Sequence, residues 1–291
     1  MSNPSPRSNP TTNTLQEKLI SSSNDKDLEN QSTKEKSTFL ASLFNMFNQL
    51  EGLGLLGVPY AFKVGEWWTV LLLIVTAIFS NMTGKLLSRS LYDEFGVRVR
   101  KSYHEAAEAA FQSSSAKLAV ATIQLVGLVG VAITFIVLIA SSIVDVAPTN
   151  LSHYASTAIA TGACVPLLFF ERLSYVAYLS VLGVGILIVI LVVVPISAGL
   201  EIDSVPEIHT PSFSNLESIG LLIFAFSAHS MFPEHENAMK NPSRFPELLN
   251  YTYFIITIEK LFFGIIAWVA WQANTEEIVT KNLGYSSRLE S

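Results

Sequence analysis

The sequence predicts an all-α membrane protein in which two of the membrane-crossing helices are interrupted. Of its 291 residues, 50% are hydrophobic and only 14% are charged, whereas about 25% of the residues in a soluble domain are charged. Several apolar stretches reach the roughly 20 residues that a helix needs to cross a bilayer. Two of these stretches also contain glycine or proline residues, which weaken a helix.

Seven stretches are candidate membrane spans, and together they define a transmembrane domain over residues 39–273. They lie at about 39–62, 67–90, 117–143, 155–170, 173–200, 216–239 and 250–273. The fourth is short and contains Cys164 and Pro166, which favours a tilted or partly interfacial segment. The sixth is polar in its second half, and this fits an interrupted helix better than a continuous one.

The two ends of the chain differ from the spans. Residues 1–38 are rich in Ser, Asn, Thr and Pro, with mixed charge. Such a segment cannot bury enough apolar area to offset the entropy lost on ordering, so we expect a disordered cytoplasmic tail. No signal peptide is visible, so the first span is expected to act as the insertion signal. Residues 274–291 are expected to form a short luminal or extracellular tail.

The distribution of Lys and Arg predicts the orientation of the spans. One side of the predicted domain carries Lys34, Lys36, Lys85, Arg89, Arg98, Arg100, Lys101, Arg172, Lys240 and Arg244. This side is expected to be cytoplasmic, which places the N-terminus inside. The loops on the other side are acidic and include Asn150-Leu-Ser152, which matches an N-glycosylation acceptor.

The first interruption spans residues 51–59 and contains Gly52, Gly54, Gly57 and Pro59. Glycines lack a Cβ atom and let a ligand approach the backbone closely. Unwinding would expose amides at the start of the second half-helix, where the helix dipole favours a carboxylate. The alternative is close packing of small residues against another helix, which is also the simplest interpretation of Gly127, Gly130, Gly183 and Gly185.

The second interruption contains Phe226, Ser227 and His229, followed by Pro233. Pro233 lacks a backbone donor and clashes with the preceding helical turn. An aromatic ring, a hydroxyl and an imidazole beside a break can line a substrate cavity. His229 can also carry a coupling proton, because its charge changes near physiological pH; the alternative is a hydrogen-bonded core histidine. Two such breaks are typical of a transporter that binds its substrate near the bilayer midplane.

Three ionisable residues lie at membrane depth: Glu51, Glu259 and Lys260. Ionisable side chains are costly there and mark candidate functional sites. Glu259 and Lys260 are consecutive, so on a helix they point about 100° apart, and we expect that they cannot face one groove. Lys260 and Glu51 form a candidate pair, either for coupling or for structure alone.

Several sets of residues together resemble one known family of membrane proteins. Residues 45–48 with 52–61 resemble its first helix, and 83–85 with 97–103 fit its second helix and the loop after it. Residues 219–233 with 239–242 resemble its sixth helix, and 277–283 the stretch after the seventh. The likeness runs from about residue 38 to residue 283. The family that the chain resembles is the amino acid/auxin permease family, in particular its vesicular inhibitory and fungal vacuolar amino acid transporters.

The resemblance implies an inverted-repeat permease fold whose first and sixth helices are interrupted, here truncated to about seven spans. It also implies secondary transport of small amino acids, such as GABA, glycine or vacuolar amino acids, driven by protons. Vacuolar, lysosomal or vesicle membranes are the expected location, with the plasma membrane as an alternative. The expected substrate-binding residues are Gly52, Leu53, Gly54 and Leu55 on one side and Phe226, Ser227 and His229 on the other.

Three alternatives to a complete carrier are a seven-span receptor, a truncated non-transporting family member and an enzyme. Receptors place the N-terminus outside, opposite to the predicted orientation. No nucleophile–base constellation, phosphate loop or metal motif supports an enzyme, and residues 234–236 lack the paired histidines of a helical metal site. The expected partners are an amino acid, protons and the lipid bilayer, with no cofactor, metal or nucleic acid.

Overall fold

A computed structural model describes residues 36–146, 151–166, 173–202, 205–206 and 216–284. Within these residues the chain forms nine α-helices joined by loops and short 3-10 turns, so the predicted all-α class is confirmed. Most of the predicted cytoplasmic tail, the glycosylation acceptor Asn150 and the last residues of the far tail lie outside the described residues. The predictions made for these segments stay untested.

The helices follow one another along the chain as α1 to α9. Their bounds are Phe39–Gly65 (α1), Trp68–Ser90 (α2), Tyr103–Phe111 (α3), Ser114–Val146 (α4), His153–Cys164 (α5), Leu173–Leu200 (α6), Leu216–Ala225 (α7), Phe232–Ala238 (α8) and Phe245–Trp271 (α9). Helices α1, α3 and α5 begin after Thr38, Ser102 and Ser152, whose side-chain oxygens accept a hydrogen bond from the first turn. These caps satisfy backbone donors that a helix start leaves free.

Four helical stretches of the described chain are long and apolar enough to cross a membrane. They are Trp68–Ser90, Ser114–Asp145, Leu182–Leu200 and Pro242–Asn274. The other predicted spans coincide with α1, with the 12-residue α5 and with the pair α7 and α8. The count of seven spans therefore stays a prediction.

Helices α1, α2, α7 and α9 form the packed centre of the molecule. Their shared core includes Met46, Leu50, Phe62, Leu222, Phe226, Phe232, Phe245 and Leu248, all of them buried. Close approach of helices holds such a bundle together, because lipid offers apolar side chains nearly the same environment as protein does. A Cβ atom at Gly264 of α9 would lie 2.6 Å from the ring of Phe62 on α1, so this contact requires glycine.

Helices α4, α5 and α6 lie at the edge of this bundle. Only 6% of the most apolar window in Ser114–Asp145 is buried, against 44% of the window in Pro242–Asn274. Helix α4 packs mainly against α3 and α5, and most of its large apolar side chains are exposed. Its surface therefore suits contact with lipid or with further helices.

Polar contacts fix α8 at the end of the bundle where α1 begins. The buried carboxylate of Glu236 accepts hydrogen bonds from Ser88 Oγ at 2.7 Å and from Tyr92 Oη at 3.2 Å, and Arg98 lies 3.9 Å away. Burial and the neighbouring Glu236 carboxylate raise the pKa of Tyr92, which keeps its hydroxyl a donor. Ser37 pairs with the backbone on both sides of Met239, so the chain before α1 is tied to the chain after α8.

The segment after α9 covers the opposite end of α1. Lys63 Nζ donates to the carbonyl of Thr275 at 2.9 Å, and the 3-10 turn Val279–Gly284 packs against α1 and α6. The Asn282 side chain donates to Asn274 O at 2.8 Å and accepts from Glu276 N at 2.9 Å. The described part of the predicted far tail is thus folded onto the bundle; the side of the membrane that it faces stays a prediction.

Candidate functional site

Helix α1 is broken at Gly52. The dihedral angles there are φ −46° and ψ −137°, whereas a helical residue has ψ near −42°. Gly52 is exposed, and a Cβ atom added to it would meet nothing within 4 Å. The backbone at this break is therefore open to a small molecule.

A second break separates α7 from α8. Helix α7 ends at Ala225, residues 226–228 are not helical, and the chain turns through His229–Met231 before α8 begins at Phe232. Pro233 lies in the first turn of α8, where a helix does not need the N–H that proline lacks. The proline thus starts the second half-helix instead of distorting a continuous one.

The two breaks lie against each other. A Cβ atom at Gly54 would be 2.5 Å from Cα of Ala225, the last residue of α7. Real Cβ contacts are essentially never shorter than 3.0 Å, so a side chain at residue 54 would force the helices apart. Glycine at this position lets the backbone of α1 touch the end of α7.

A cavity of about 680 Å³ opens beside both breaks, a volume typical of small-molecule sites. Three parts of the chain form its wall. Helix α1 contributes Asn48, Gln49, Leu50, Gly52 and Gly54; α4 contributes Gln124, Gly127, Leu128, Gly130, Val131, Thr134 and Phe135; and the second break with its flanks contributes Phe224, Ala225, Ser227, Ser230 and Met231. The wall therefore combines backbone, amides and hydroxyls with apolar surface.

The role of α4 was not predicted from the sequence. Gly127 and Gly130 do not pack against a neighbouring helix: a Cβ atom at either would meet nothing within 4 Å, and both border the cavity. The interpretation as packing glycines is wrong for the described structure. The spacing of Gln124, Val131 and Thr134 relative to Gly127 places all four on one helix face. A small and polar face on an otherwise apolar helix was the signal available in the sequence.

The predicted substrate residues separate into two groups. Gly52, Gly54 and Ser227 line the cavity. Leu55 instead is fully buried in a second apolar cluster with α6 and α9, and the side chain of Leu53 lies outside the described part. Substrate contact by any of these residues stays a prediction.

Phe226 and His229 face other helices. The ring of Phe226 is buried and stacks on Tyr253 of α9, with the ring centroids 5.9 Å apart. His229 Nε2 lies 2.8 Å from Thr83 Oγ1 and 3.1 Å from the carbonyl of Ser80, both on α2. Because a carbonyl only accepts, Nε2 carries the hydrogen that it donates to Ser80.

Glu51 and Lys260 form an ion pair inside the bundle, as the sequence suggested. Lys260 Nζ donates to Glu51 Oε2 at 3.0 Å and to the carbonyl of Leu50 at 3.3 Å. Both charged side chains are 0% exposed. The ammonium also lies 5.9 Å from the centre of the Phe226 ring. Lys260 therefore contacts the chain next to both breaks.

Glu259 belongs to the same charged cluster. Both of its carboxyl oxygens are buried, and they have no hydrogen-bond partner among the described residues. The charges that act on it are those of Glu51 and, more weakly, Lys260. Lys260 reaches Glu51 through an ion pair, and the charge of Glu51 also acts on Glu259. The expectation that Glu259 and Lys260 cannot face one groove stays a prediction.

Comparison with known proteins identifies relatives over most of the chain. Residues 35–289 match the family model described as "Transmembrane amino acid transporter protein". A vesicular GABA transporter of Caenorhabditis elegans is 26% identical over 293 residues, with 92% of this chain and 57% of the relative covered. A vesicular inhibitory amino acid transporter of Xenopus tropicalis is 29% identical, with 86% and 51% covered. The amino acid transporter AVT1D of Arabidopsis thaliana is 26% identical, with 84% and 46% covered.

The chain spans about half the length of the curated relatives that it matches. No solved structure matches it.

Proposed function

The chain belongs to the transmembrane amino acid transporter family, and from this membership we propose that it transports small neutral amino acids. The substrate binds in the cavity that borders both helix breaks. This position is the single observation that supports the proposal most strongly, because broken helices at membrane depth provide polar backbone groups for a substrate. The family match favours transport over a receptor or an enzyme.

The cavity wall can bind a zwitterion through backbone groups and hydroxyls alone. The break at Gly52 frees backbone N–H groups at the start of the second half of α1, where the helix dipole favours a carboxylate. The carbonyl end of α7 and the hydroxyls of Ser227 and Ser230 offer acceptors for an ammonium group. In the described part of the wall every side chain is uncharged, so an additional charge on the substrate would lack a partner.

We propose that α1 and the pair α7 and α8 are the interrupted first and sixth helices of an inverted-repeat permease fold. The N-terminus then lies in the cytoplasm. The vesicular and plant relatives support an organelle membrane, such as that of a vesicle or a vacuole. The bilayer and an amino acid are its partners in this function.

Protons are the proposed coupling ion. The cluster of Glu51, Glu259 and Lys260 lies directly behind the cavity wall, since Leu50 and Gly52 on either side of Glu51 both line the cavity. A change in the charge of this cluster can therefore act on the break itself. Ionisable groups at membrane depth commonly form proton relays in transporters.

Exchange of labelled amino acids in proteoliposomes tests the proposed substrate class. The purified chain is expected to exchange labelled glycine or GABA for unlabelled amino acid, and to exchange glutamate and lysine much more slowly. Exchange requires no gradient, so it measures binding and passage alone. Wild-type protein that folds but exchanges none of these compounds would favour the non-transporting alternative.

A matched pair of substitutions tests the position of the site. Gly130→Leu places a bulky side chain in the cavity, whereas Gly220→Leu adds the same side chain to the open surface of α7 away from it; neither position has an atom within 4 Å of an added Cβ. Exchange is expected to be lost in the first variant and kept in the second. Equal exchange by both would place the substrate elsewhere.

A further inference from the structure

We propose that Glu51 and Glu259 share one bound proton, so that the cluster with Lys260 is the proton site of the protein. Its link to transport rests on the proposed function; the proton site itself does not. Three observations support it: the charge of the cluster, its missing hydrogen-bond donors and its position behind the cavity wall.

The charge of the cluster favours one proton. Glu51 and Lys260 are fully buried and neutralise each other, but Glu259 adds a second carboxyl beside them. If all three groups were ionised, one negative charge would remain at membrane depth without a counter-ion. Buried carboxyls near a like charge avoid this state by taking up a proton.

Some carboxyl oxygens of the cluster lack a hydrogen-bond donor. Lys260 donates a hydrogen bond to Oε2 of Glu51, but Oε1 of Glu51 and both oxygens of Glu259 have no partner within the described structure. Ionised carboxylates only accept hydrogen bonds, so neighbouring ones cannot satisfy each other. A proton on one carboxyl provides the missing donor, as in other carboxyl pairs that share a proton.

None of the other charged and titratable groups described on the surrounding helices donates a hydrogen bond to the unpaired oxygens of the cluster. Lys63 of α1 binds the carbonyl of Thr275, and Lys85 of α2 binds Asn250. His229 binds α2, and the hydroxyl of Tyr253 makes no hydrogen bond within the described residues. On α6, residues 182–200 carry no titratable side chain. Within the described residues, Glu51 Oε1 and both oxygens of Glu259 therefore receive no hydrogen bond from these groups.

The proton site is joined to the cavity by Lys260. This side chain holds the carbonyl of Leu50, which lines the cavity immediately before the break. When the proton moves to Glu51, the ammonium pairs with Glu259 instead, and its hold on Leu50 changes. Binding of the proton and the shape of the cavity wall are thus coupled through one side chain.

Infrared difference spectroscopy on the purified full chain tests the site without measuring transport. Spectra recorded between neutral and alkaline pH are expected to show the C=O stretch of a protonated carboxyl. This band is expected to disappear in both Glu51→Gln and Glu259→Gln, because one remaining carboxylate is neutralised by Lys260 alone. The control Glu236→Gln removes another buried carboxylate, which already has donors, and is expected to keep the cluster's band.

A band that is absent from the wild type, or that survives in both single variants, would overturn the proposal. Proteoliposomes then separate it from the proposed function. Glu259→Gln is expected to keep exchange but to lose uptake driven by a pH gradient. Wild-type protein without exchange refutes transport but leaves the infrared result standing; exchange without the band refutes the proton site alone.

Discussion

The two helix breaks differ in what holds them open. Beside Gly52 the chain is held by a charge, because the ammonium of Lys260 binds the carbonyl of Leu50 and the carboxylate of Glu51. At residues 226–229 the ring stacking and the hydrogen bonds are between neutral groups, with Phe226 stacked on Tyr253 and His229 hydrogen-bonded to α2; the Lys260 ammonium lies farther off, 5.9 Å from the centre of the Phe226 ring. One break is therefore held by electrostatics and the other by packing.

This difference determines how each break can move. The backbone around the second break satisfies part of its own hydrogen bonds, for example from Phe226 N and Ser227 N to carbonyls of α7. The first break depends on a side chain from another helix. A charge-held break responds to a proton, whereas a packed one keeps its shape. We therefore expect α1 to be the moving part and the second break to be its support.

The largest effect is expected from Lys260→Met. This change removes the ammonium and leaves two buried carboxyls without a cation, and breaking a buried ion pair in this way destabilises a protein by about 3–5 kcal/mol. Glu51→Gln is expected to cost much less, because Glu259 remains as a partner for Lys260. Thermal unfolding in detergent measures both.

Equal destabilisation by Lys260→Met and Glu51→Gln would contradict this expectation. It would mean that Glu259 does not reach the ammonium and that the cluster is a simple pair. The double variant Glu51→Gln with Glu259→Gln is the control, since it leaves the cation alone and is expected to be less stable than either single variant.

Phe226→Ala, within the second break, is expected to have a slightly smaller effect on stability. Phe226→Ala removes a buried ring that packs on Tyr253, and a truncation of this kind costs about 3 kcal/mol or more. Ser227→Ala changes the neighbouring exposed residue and is expected to alter stability by less than about 0.5 kcal/mol. Unfolding measures the first variant, and amino acid exchange measures the second, because Ser227 lines the cavity.

The opposite ranking would show that the second break is not held by packing. If Ser227→Ala unfolds the protein while Phe226→Ala leaves it stable and slows exchange, the ring of Phe226 faces the substrate, as the sequence suggested. The pair thus decides between two orientations of adjacent residues.

The sequence predicts interruptions near Gly52 and Pro233 but not which side chains face the cavity. Gly52 permits a non-helical ψ, and Pro233 fits the first turn of a new helix, so local chemistry favours an interruption at each place. Phe226 and Ser227 are adjacent, and the sequence gives no rotation for a non-helical segment. Their assignment depends on Tyr253, which is far away in the chain.

The charged cluster was only partly predictable for a similar reason. The cost of burying Lys260 requires a partner, and Glu51 was the obvious candidate. Helical geometry places Glu259 about 100° from Lys260, and it did not indicate that the charge of Glu51 acts on Glu259 as well. The contribution of α4 to the cavity depends on helix packing that a single sequence does not reveal.

Gly54→Ala is expected to have a moderate effect on stability. Together with Gly52→Ala it distinguishes helix–helix contact at the first break from access of the substrate to the cavity. The new methyl group would meet the backbone of Ala225, so α1 and α7 must move apart, and overpacking of this kind costs about 1–3 kcal/mol. Gly52→Ala is the control, because its methyl group enters open space beside the cavity. It is expected to affect exchange more than thermal unfolding.

If Gly54→Ala proves as stable as Gly52→Ala, the two breaks do not touch in the folded protein. The cavity would then be open between α1 and α7, and the proposal that both breaks border one cavity would be wrong. Exchange by Gly54→Ala at wild-type rate would lead to the same conclusion.

The smallest effect is expected from His229. His229→Ala removes the donor to the carbonyl of Ser80 and is expected to cost about 1 kcal/mol. His229→Gln supplies an N–H from a side chain of similar reach and is expected to be nearly neutral. The dependence of gradient-driven uptake on pH is expected to be the same in the wild type and in His229→Gln.

A changed pH profile in His229→Gln would remove the distinction between the two breaks. The proton would then be carried at the second break, on a group that binds α2, and Lys260 would have a structural role only. An unchanged profile in His229→Gln, together with a lost pH response in Glu259→Gln, assigns the proton to the break that charge holds open. One variant alters the second break and the other alters the charged cluster behind the first break, so their comparison tests the division of roles directly.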